Sequence, residues 1–166
     1  MPWLKRKLEG LSWQVFVPSF PTPEGQELSR WLEIFKEYEE SLDKNTIMVG
    51  YSLGVAFILR ILEKTKSPIK AAFFVAGFVG SLGNPVFDKI NKTFLEAPFD
   101  WQKIRKNCEK FFVFHSDNDP YVSLKQGGVI ARNLGTNLIL VKNAGHFNEK
   151  AGYKKFELLL EKIKEI

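Results

Sequence analysis

Residues 50–54 read Gly-Tyr-Ser-Leu-Gly, a G-x-S-x-G pattern that constrains the local fold more than any other stretch of the chain. Before it, residues 46–49 form a short β-branched and apolar run that predicts a buried strand. After it, residues 55–62 predict a helix that ends before Ser67 and Pro68. A strand, a sharp turn and a helix in this order are the setting of a nucleophile elbow, whose serine hydroxyl projects from the end of a sheet.

In such an elbow the residues two before and two after the serine approach each other, so we expect both Gly50 and Gly54 to be required as small residues. The pattern by itself occurs by chance in about one chain in twenty of this length. An ordinary Gly-Ser turn that enters a helix therefore remains an alternative interpretation of Ser52.

The composition predicts a single globular domain over residues 1–166, since 166 residues with 45% hydrophobic content can bury a substantial core. The net charge of +5 comes mostly from basic residues interleaved with acidic ones. Lys5, Arg6 and Lys7 form the one tight basic cluster, which a solvated helix face explains better than a nucleic-acid site.

Cysteine content and hydropathy predict a soluble cytoplasmic protein with no membrane partner. The single cysteine, Cys108, excludes an internal disulfide framework and fits a reducing compartment. The longest apolar run, residues 71–80, is too short to span a bilayer, and no signal-peptide pattern follows the N-terminal charges.

Strand and helix patterns alternate along the chain. Strands are predicted at residues 14–17, 46–49, 71–75, 111–114 and 137–141. Helices are predicted at residues 2–9, 24–42, 55–62 and 122–134, and near the C-terminus along Tyr153, Phe156, Leu160 and Ile163. Strands without in-out alternation, separated by helices, imply a mainly parallel sheet covered on both faces, which is an α/β/α three-layer sandwich.

The glycine-rich stretch from residue 77 to residue 100 interrupts this alternation. Because loops that follow strand ends carry ligand sites in such folds, we expect this one to wall an apolar pocket beside Tyr51. Phe94 and Phe99 are the candidate wall residues, with completion of the core as the alternative for both. The glycine spacing is not G-x-G-x-x-G, so nucleotide binding is not expected, and no other pattern indicates a cofactor.

A serine nucleophile needs a base, and the chain has two histidines. His146 stands between the last predicted strand and the last helix, in a loop at the sheet edge where Ser52 is expected, and Gly145 permits an unusual turn there. His115 ends the fourth predicted strand, where it could equally be a packed structural group. Position and chain order favour His146.

Two acids, Asp117 and Asp119, follow the fourth predicted strand and could orient the histidine. Asp119 is better placed because the turn after it leads into a helix and Pro120 restricts the backbone, whereas Asp117 could cap or form a turn. Their D-x-D spacing lacks the glycine and distal glutamate of a calcium loop, so no metal is expected. Serine, aspartate and histidine in this order match the α/β-hydrolases.

With these residues in place, the chain resembles the small α/β-hydrolases of the retinoblastoma-binding protein nine (YdeN-type) group over essentially its full length. The matching stretches are residues 47–54, 99–104, 116–122 and 144–147. The resemblance implies a Ser52–Asp119–His146 triad, a compact fold without a large cap domain, and activity on small esters or amides.

Two functions follow as hypotheses. The first is a serine hydrolase that cleaves a small ester, amide or thioester through an acyl-enzyme on Ser52, with the backbone N–H of Leu53 as one oxyanion donor. The second is a catalytically weak or inactive binding protein on a hydrolase scaffold.

The second hypothesis arises because members of the resembled group begin with a strand and a glycine-rich loop that this chain lacks before Met1, Pro2 and Trp3. In that group the strand lies between those that correspond here to residues 14–17 and 46–49. We therefore expect a shortened version of a longer protein, with Met1 as an internal methionine. Residues 14–17 must then either pair with the elbow strand or leave a gap with unpaired backbone groups.

Overall fold

A four-stranded, fully parallel sheet forms the centre of the computed structural model, which describes residues 2–166. Its strands, in spatial as well as chain order, are β1 (Ile47–Tyr51), β2 (Ile69–Val75), β3 (Cys108–Ser116) and β4 (Leu138–Val141). Parallel pairing places all four carboxyl ends at one edge of the sheet, where the loops that follow the strands meet. Met1, and with it the prediction of an internal methionine, lies outside the described residues.

Helices cover both faces of this sheet. They are α1 (Pro2–Glu9), α2 (Leu28–Glu39), α3 (Leu53–Leu62), α4 (Pro85–Leu95), α5 (Trp101–Lys106), α6 (Leu124–Leu134) and α7 (Glu157–Lys164). In β2, Ala72 and Phe74 join the core under α3 and α6, while Phe73 and Val75 join the core under α1 and α7. Because both faces are buried, β2 shows no in-out alternation, and the predicted three-layer α/β sandwich is confirmed.

Two helices, α4 and α5, were missed by the sequence prediction. The segment 77–100, predicted as an irregular loop, contains α4, which begins after Asn84. The Asn84 side chain accepts hydrogen bonds from the backbone N–H groups of Val86 and Phe87, and Pro85 occupies the first helical position. The glycines that suggested a loop all precede this cap.

The predicted strand at residues 14–17 does not form. Residues 14–20 have no regular secondary structure and make no backbone–backbone hydrogen bond. Phe16 and Val17 are 49% and 57% exposed, and β1 pairs with β2 only. The sequence left two arrangements open, pairing of residues 14–17 with the elbow strand or a gap with unpaired backbone groups, and the structure shows the gap.

Within residues 2–166, no helix combines the length and the apolar character that crossing a membrane requires.

Candidate active site

Ser52 occupies a sharp turn between β1 and α3. Its backbone has φ 53° and ψ −121°, a conformation that is rare for a residue with a side chain. The Ser52 backbone N–H donates to the carbonyl of Val75 at 2.9 Å, which ties the turn to the end of β2. The strain expected of a nucleophile elbow is therefore present at this serine.

The two glycines of the motif have different roles. A Cβ atom at Gly50 would lie 2.9 Å from the carbonyl oxygen of Gly54 and 2.9 Å from Ile58, so a side chain there would force the turn apart. A Cβ atom at Gly54 would meet nothing within 4 Å. The expectation that both positions must be small is confirmed for Gly50 and wrong for Gly54, whose missing side chain would project into open space.

Ser52, His146 and Asp119 form one hydrogen-bonded chain at the carboxyl edge of the sheet. The Oγ atom of Ser52 lies 3.2 Å from Nε2 of His146, and Nδ1 of His146 lies 2.7 Å from Oδ2 of Asp119. The three residues follow β1, β3 and β4, so parallel pairing brings them to the same edge. The Asp119 side chain is fully buried and that of His146 is 10% exposed.

Asp119 is held as a carboxylate. Its Oδ1 accepts hydrogen bonds from the backbone N–H groups of Tyr121 and Val122 at 2.9 and 3.0 Å. Burial raises the pKa of Asp119, but the hydrogen bonds from His146, Tyr121 and Val122 outweigh burial, and the net pKa lies below its ordinary value. With Oδ1 occupied, Oδ2 is free to accept from Nδ1–H of His146, which leaves Nε2 as the acceptor facing Ser52.

Three successive side chains at the end of β3 accept hydrogen bonds from three successive backbone N–H groups after β4. Asp117 Oδ1 accepts from Asn143 N at 2.8 Å, Ser116 Oγ from Ala144 N at 2.9 Å, and Asn118 Oδ1 from Gly145 N at 2.8 Å. These bonds fix the backbone directly before His146. The sequence analysis considered Asp117 as a second candidate acid or as a turn or cap residue and missed the roles of Ser116 and Asn118, although the polar run 116–119 was the available signal.

Gly145 adopts φ 53°, and a Cβ atom there would lie 2.7 Å from the Cβ of Ala151. The unusual turn expected at Gly145 is therefore confirmed, and it needs glycine for both conformation and space.

His115 lies outside this hydrogen-bonded chain. It is fully buried, its Nε2–H donates to the carbonyl of Val122 at 3.0 Å, and a Cβ atom added to Gly127 would come within 2.7 Å of its ring. His115 therefore anchors the end of the Asp119 loop, which corresponds to the structural alternative considered from the sequence.

A large cavity of about 1420 Å³ opens at Ser52. Its lining includes Tyr51, Leu53, Phe78, Leu82, Phe87 and Tyr121. The Leu53 N–H belongs to the first residue of α3 and has no partner within the helix, so it can donate to a ligand beside Ser52.

Tyr51 lines the cavity as expected, and its hydroxyl also holds the histidine loop. The hydroxyl donates to the carbonyl oxygen of His146 at 2.8 Å. Burial raises the pKa of Tyr51 to about 12, with the negative charge of Asp119 as a second cause.

Phe94 and Phe99 do not line the cavity, which corrects the prediction that they wall it. Phe94 is fully buried behind the cavity, with its ring 4.9 Å from Trp31 and 6.4 Å from Phe57. Phe99 lies beneath the guanidinium of Arg60, whose Cζ is 3.8 Å from the ring centroid. Because α4 forms where a loop was predicted, it turns Phe94 inward to the core and leaves Phe87 toward the cavity.

Among residues 2–166, no group of three or more histidine, cysteine, aspartate or glutamate side chains is placed to hold a metal ion.

Comparison with known proteins establishes the class of protein to which this chain belongs. The serine hydrolase family matches residues 3–165, and the chain belongs to that family. It is therefore a hydrolytic enzyme of the serine type with an α/β-hydrolase fold, and the resemblance drawn from its motifs is confirmed.

Particular relatives are YdeN of Bacillus subtilis (strain 168) and the serine hydrolase RBBP9 of Rattus norvegicus. YdeN is 30% identical over 162 residues, which cover 96% of this chain and 84% of YdeN. RBBP9 is 28% identical over 146 residues, which cover 87% of this chain and 76% of RBBP9.

Solved structures show the same fold. The crystal structure of the ydeN gene product superposes with a TM-score of 0.91 at 28% identity, covering 99% of this chain and 88% of that one. A protein of the α/β hydrolase superfamily from Xanthomonas campestris pv. campestris matches with a TM-score of 0.64 at 17% identity, covering 98% and 88%, and shows the fold alone.

Proposed function

We propose that this protein cleaves a small ester, amide or thioester through an acyl-enzyme formed on Ser52. The observation that carries the proposal is the hydrogen-bonded chain from Asp119 through His146 to Ser52, with distances of 2.7 and 3.2 Å. Serine hydroxyls become nucleophiles when a positioned histidine takes their proton, and the carboxylate then stabilises the imidazolium.

The reaction follows from this geometry. His146 Nε2 accepts the Ser52 hydroxyl proton as Oγ attacks the substrate carbonyl carbon, and the same proton passes to the leaving group when the tetrahedral intermediate collapses. Water then attacks the acyl-enzyme with His146 again as base, which releases the acid and restores Ser52. The backbone N–H of Leu53, the first residue of α3, supplies one oxyanion donor in this proposal, and the helix dipole at the α3 N-terminus also favours negative charge.

The cavity supports an apolar acyl group. Phe78, Leu82 and Phe87 are among its lining residues, and Phe87 packs edge-to-face on Tyr121 with ring centroids 6.4 Å apart. Tyr121 in turn lies 5.2 Å from the His146 ring, so the acyl wall and the base are in contact.

A fluorophosphonate probe tests the proposal, because it reacts covalently with activated serines. We expect labelling of the native chain and none of Ser52→Ala, with ester turnover falling by several orders of magnitude. Ser41→Ala is the matched control, since Ser41 lines the same cavity away from His146. Labelling that persists in Ser52→Ala would refute the assignment, and an unlabelled native chain would support the binding-protein alternative.

A further inference from the structure

Val122 joins His115 to the acid of the proposed triad. Its backbone N–H donates to Oδ1 of Asp119 at 3.0 Å, and its carbonyl oxygen accepts from Nε2–H of His115 at 3.0 Å. Val122 is 1% exposed, whereas Tyr121, which supplies the other N–H to Oδ1, is 43% exposed. Of the two residues that donate to Oδ1, Val122 is therefore the one anchored in the core, and His115 is the side chain that holds its carbonyl.

The ring of His115 is in turn positioned by α6. His115 is fully buried, and within residues 2–166 its Nδ1 makes no hydrogen bond, so the bond to Val122 is the one polar contact of the ring. Close packing supplies the second restraint, because a Cβ atom at Gly127 would lie 2.7 Å from Nδ1 and 2.9 Å from Cγ of His115. Only glycine at this position of α6 leaves room for the ring where it stands.

These contacts form one continuous path from α6 to the proposed nucleophile. In order, the path passes through Gly127, His115, Val122, Asp119, His146 and Ser52. The first step is a packing contact, and the others are hydrogen bonds of 2.7 to 3.2 Å. Such a path can affect the rate, because misplacing a group by about 1 Å can cost about 10²-fold even when the change lies away from the chemistry.

We infer that His115 is a positioning residue for the hydrolytic reaction, which keeps the Asp119 carboxylate in line with Nδ1 of His146 by holding the carbonyl of Val122. The inference rests on the proposed role of Asp119, and it gives His115 no contact with substrate. Without the Nε2–H donor, the carbonyl of the buried Val122 loses the partner that the structure gives it. Val122 is then free to shift, and with it the carboxylate that it holds.

His115→Met and His115→Gln form a matched pair of variants. The glutamine amide nitrogen lies as many bonds from the backbone as Nε2 of histidine, so it can donate to the Val122 carbonyl, whereas the methionine methyl group cannot. We expect kcat for a p-nitrophenyl ester to fall about 10- to 100-fold in His115→Met with KM unchanged, because the lost bond acts on the acid and not on substrate binding. His115→Gln should regain most of the native kcat.

Gly127→Ala and Gly128→Ala test the same path without removing a polar group. Both glycines lie in α6, so both alanines raise the helix propensity alike. The new methyl group presses on the His115 ring at position 127, whereas at position 128 it would meet nothing within 4 Å. We therefore expect kcat to fall at constant KM in Gly127→Ala and to stay native in Gly128→Ala. Gly127→Ala decides the question if thermal unfolding shows that His115→Met does not fold.

A spectroscopic readout makes the test independent of hydrolysis. The chain has two histidines, so nitrogen-15 labelling of histidine reports on His115 and His146 alone. An imidazole N–H proton in a short hydrogen bond to a carboxylate resonates far downfield, so the Nδ1 proton of His146 reports the 2.7 Å bond to Asp119. We expect this resonance in the native chain and in Gly128→Ala, and an upfield shift or loss in His115→Met and Gly127→Ala. A native chain that shows the resonance but resists fluorophosphonate would refute the proposed function, while the variants' resonances would still decide the inference.

Four results would overturn the inference. A native kcat in a folded His115→Met variant would show that the donor does not act on the acid. Equal kcat values in His115→Gln and His115→Met would show that the hydrogen bond has no part in the effect. Equal kcat values and equal resonances in Gly127→Ala and Gly128→Ala would show that α6 does not position the ring. Absence of the downfield proton from the native chain would show that there is no such bond for His115 to maintain.

Discussion

Replacing Asp119 by asparagine tests the site most sharply, because the structure allows the substitution without moving the backbone. The amide oxygen of asparagine can take the place of Oδ1 and keep the bonds from Tyr121 and Val122. Its NH₂ group then faces Nδ1 of His146 in place of the acceptor Oδ2, which lies 2.7 Å away in the native chain. Nδ1 must then accept, so the ring proton moves to Nε2 and the base toward Ser52 is lost.

The same substitution two residues earlier is the matched control. Asp117 Oδ1 accepts only the Asn143 N–H at an exposed position, and an asparagine oxygen can do the same. We expect kcat to fall about 10⁴-fold in Asp119→Asn, the effect that a wrong histidine tautomer has in serine proteases, which corresponds to about 5 kcal/mol of transition-state stabilisation. We expect Asp117→Asn to remain within about twofold of the native rate.

Steady-state hydrolysis of a p-nitrophenyl ester and the rate of fluorophosphonate labelling measure both variants, and thermal unfolding confirms that they are folded. An Asp119→Asn variant within tenfold of the native rate would show that the carboxylate does not set the tautomer. A slower Asp117→Asn than Asp119→Asn would transfer the acid role to Asp117.

The remaining predictions concern the cavity wall, the histidine loop and alkaline pH. Phe94→Ala should lower the free energy of unfolding by about 3–5 kcal/mol and leave the preferred acyl-chain length unchanged. Phe87→Ala should change the preferred acyl-chain length with little loss of Tm. A panel of esters of different chain length and thermal unfolding measure these two effects. Ser116→Ala leaves the buried backbone N–H of Ala144 without its acceptor and should lower the free energy of unfolding by about 1–3 kcal/mol, as measured by chemical denaturation. Ser123→Ala is the control, because the Ser123 side chain makes no cap hydrogen bond, and it should leave the free energy of unfolding almost unchanged. Folding raises the pKa of Tyr51 from 10.0 to about 12, so the stabilising contribution of its hydroxyl should be complete below pH 10 and should disappear as the pH rises toward 12. The free energy of unfolding of Tyr51→Phe, measured by chemical denaturation over the same pH range, should not show this decrease.

Much of the site could be predicted from residue order along the chain. A G-x-S-x-G motif between strand and helix patterns, an acid after a later strand and a histidine after the last one suffice to predict Ser52, Asp119 and His146 at one sheet edge. This works because each side chain lies in the short segment that follows a parallel strand, so residue order along the chain brings all three to the same edge of the sheet. Strands buried on both faces, such as β2, are also recognisable locally, since they need a continuous apolar run.

Other features depend on contacts between distant segments and could be decided only by the tertiary structure. Phe94 and Phe99 are apolar residues in a glycine-rich stretch. Nothing in the sequence of that stretch shows that α4 directs Phe94 into the core or that the guanidinium of Arg60 covers Phe99. The hydrogen bonds from the backbone N–H groups before His146 to the side chains of residues 116–118 join positions that are 26 to 28 residues apart in the sequence. Residues 14–17 have the composition of a strand, yet a strand forms only when a neighbour supplies its hydrogen bonds. Here β1 pairs with β2 alone, and residues 14–17 make no backbone–backbone hydrogen bond.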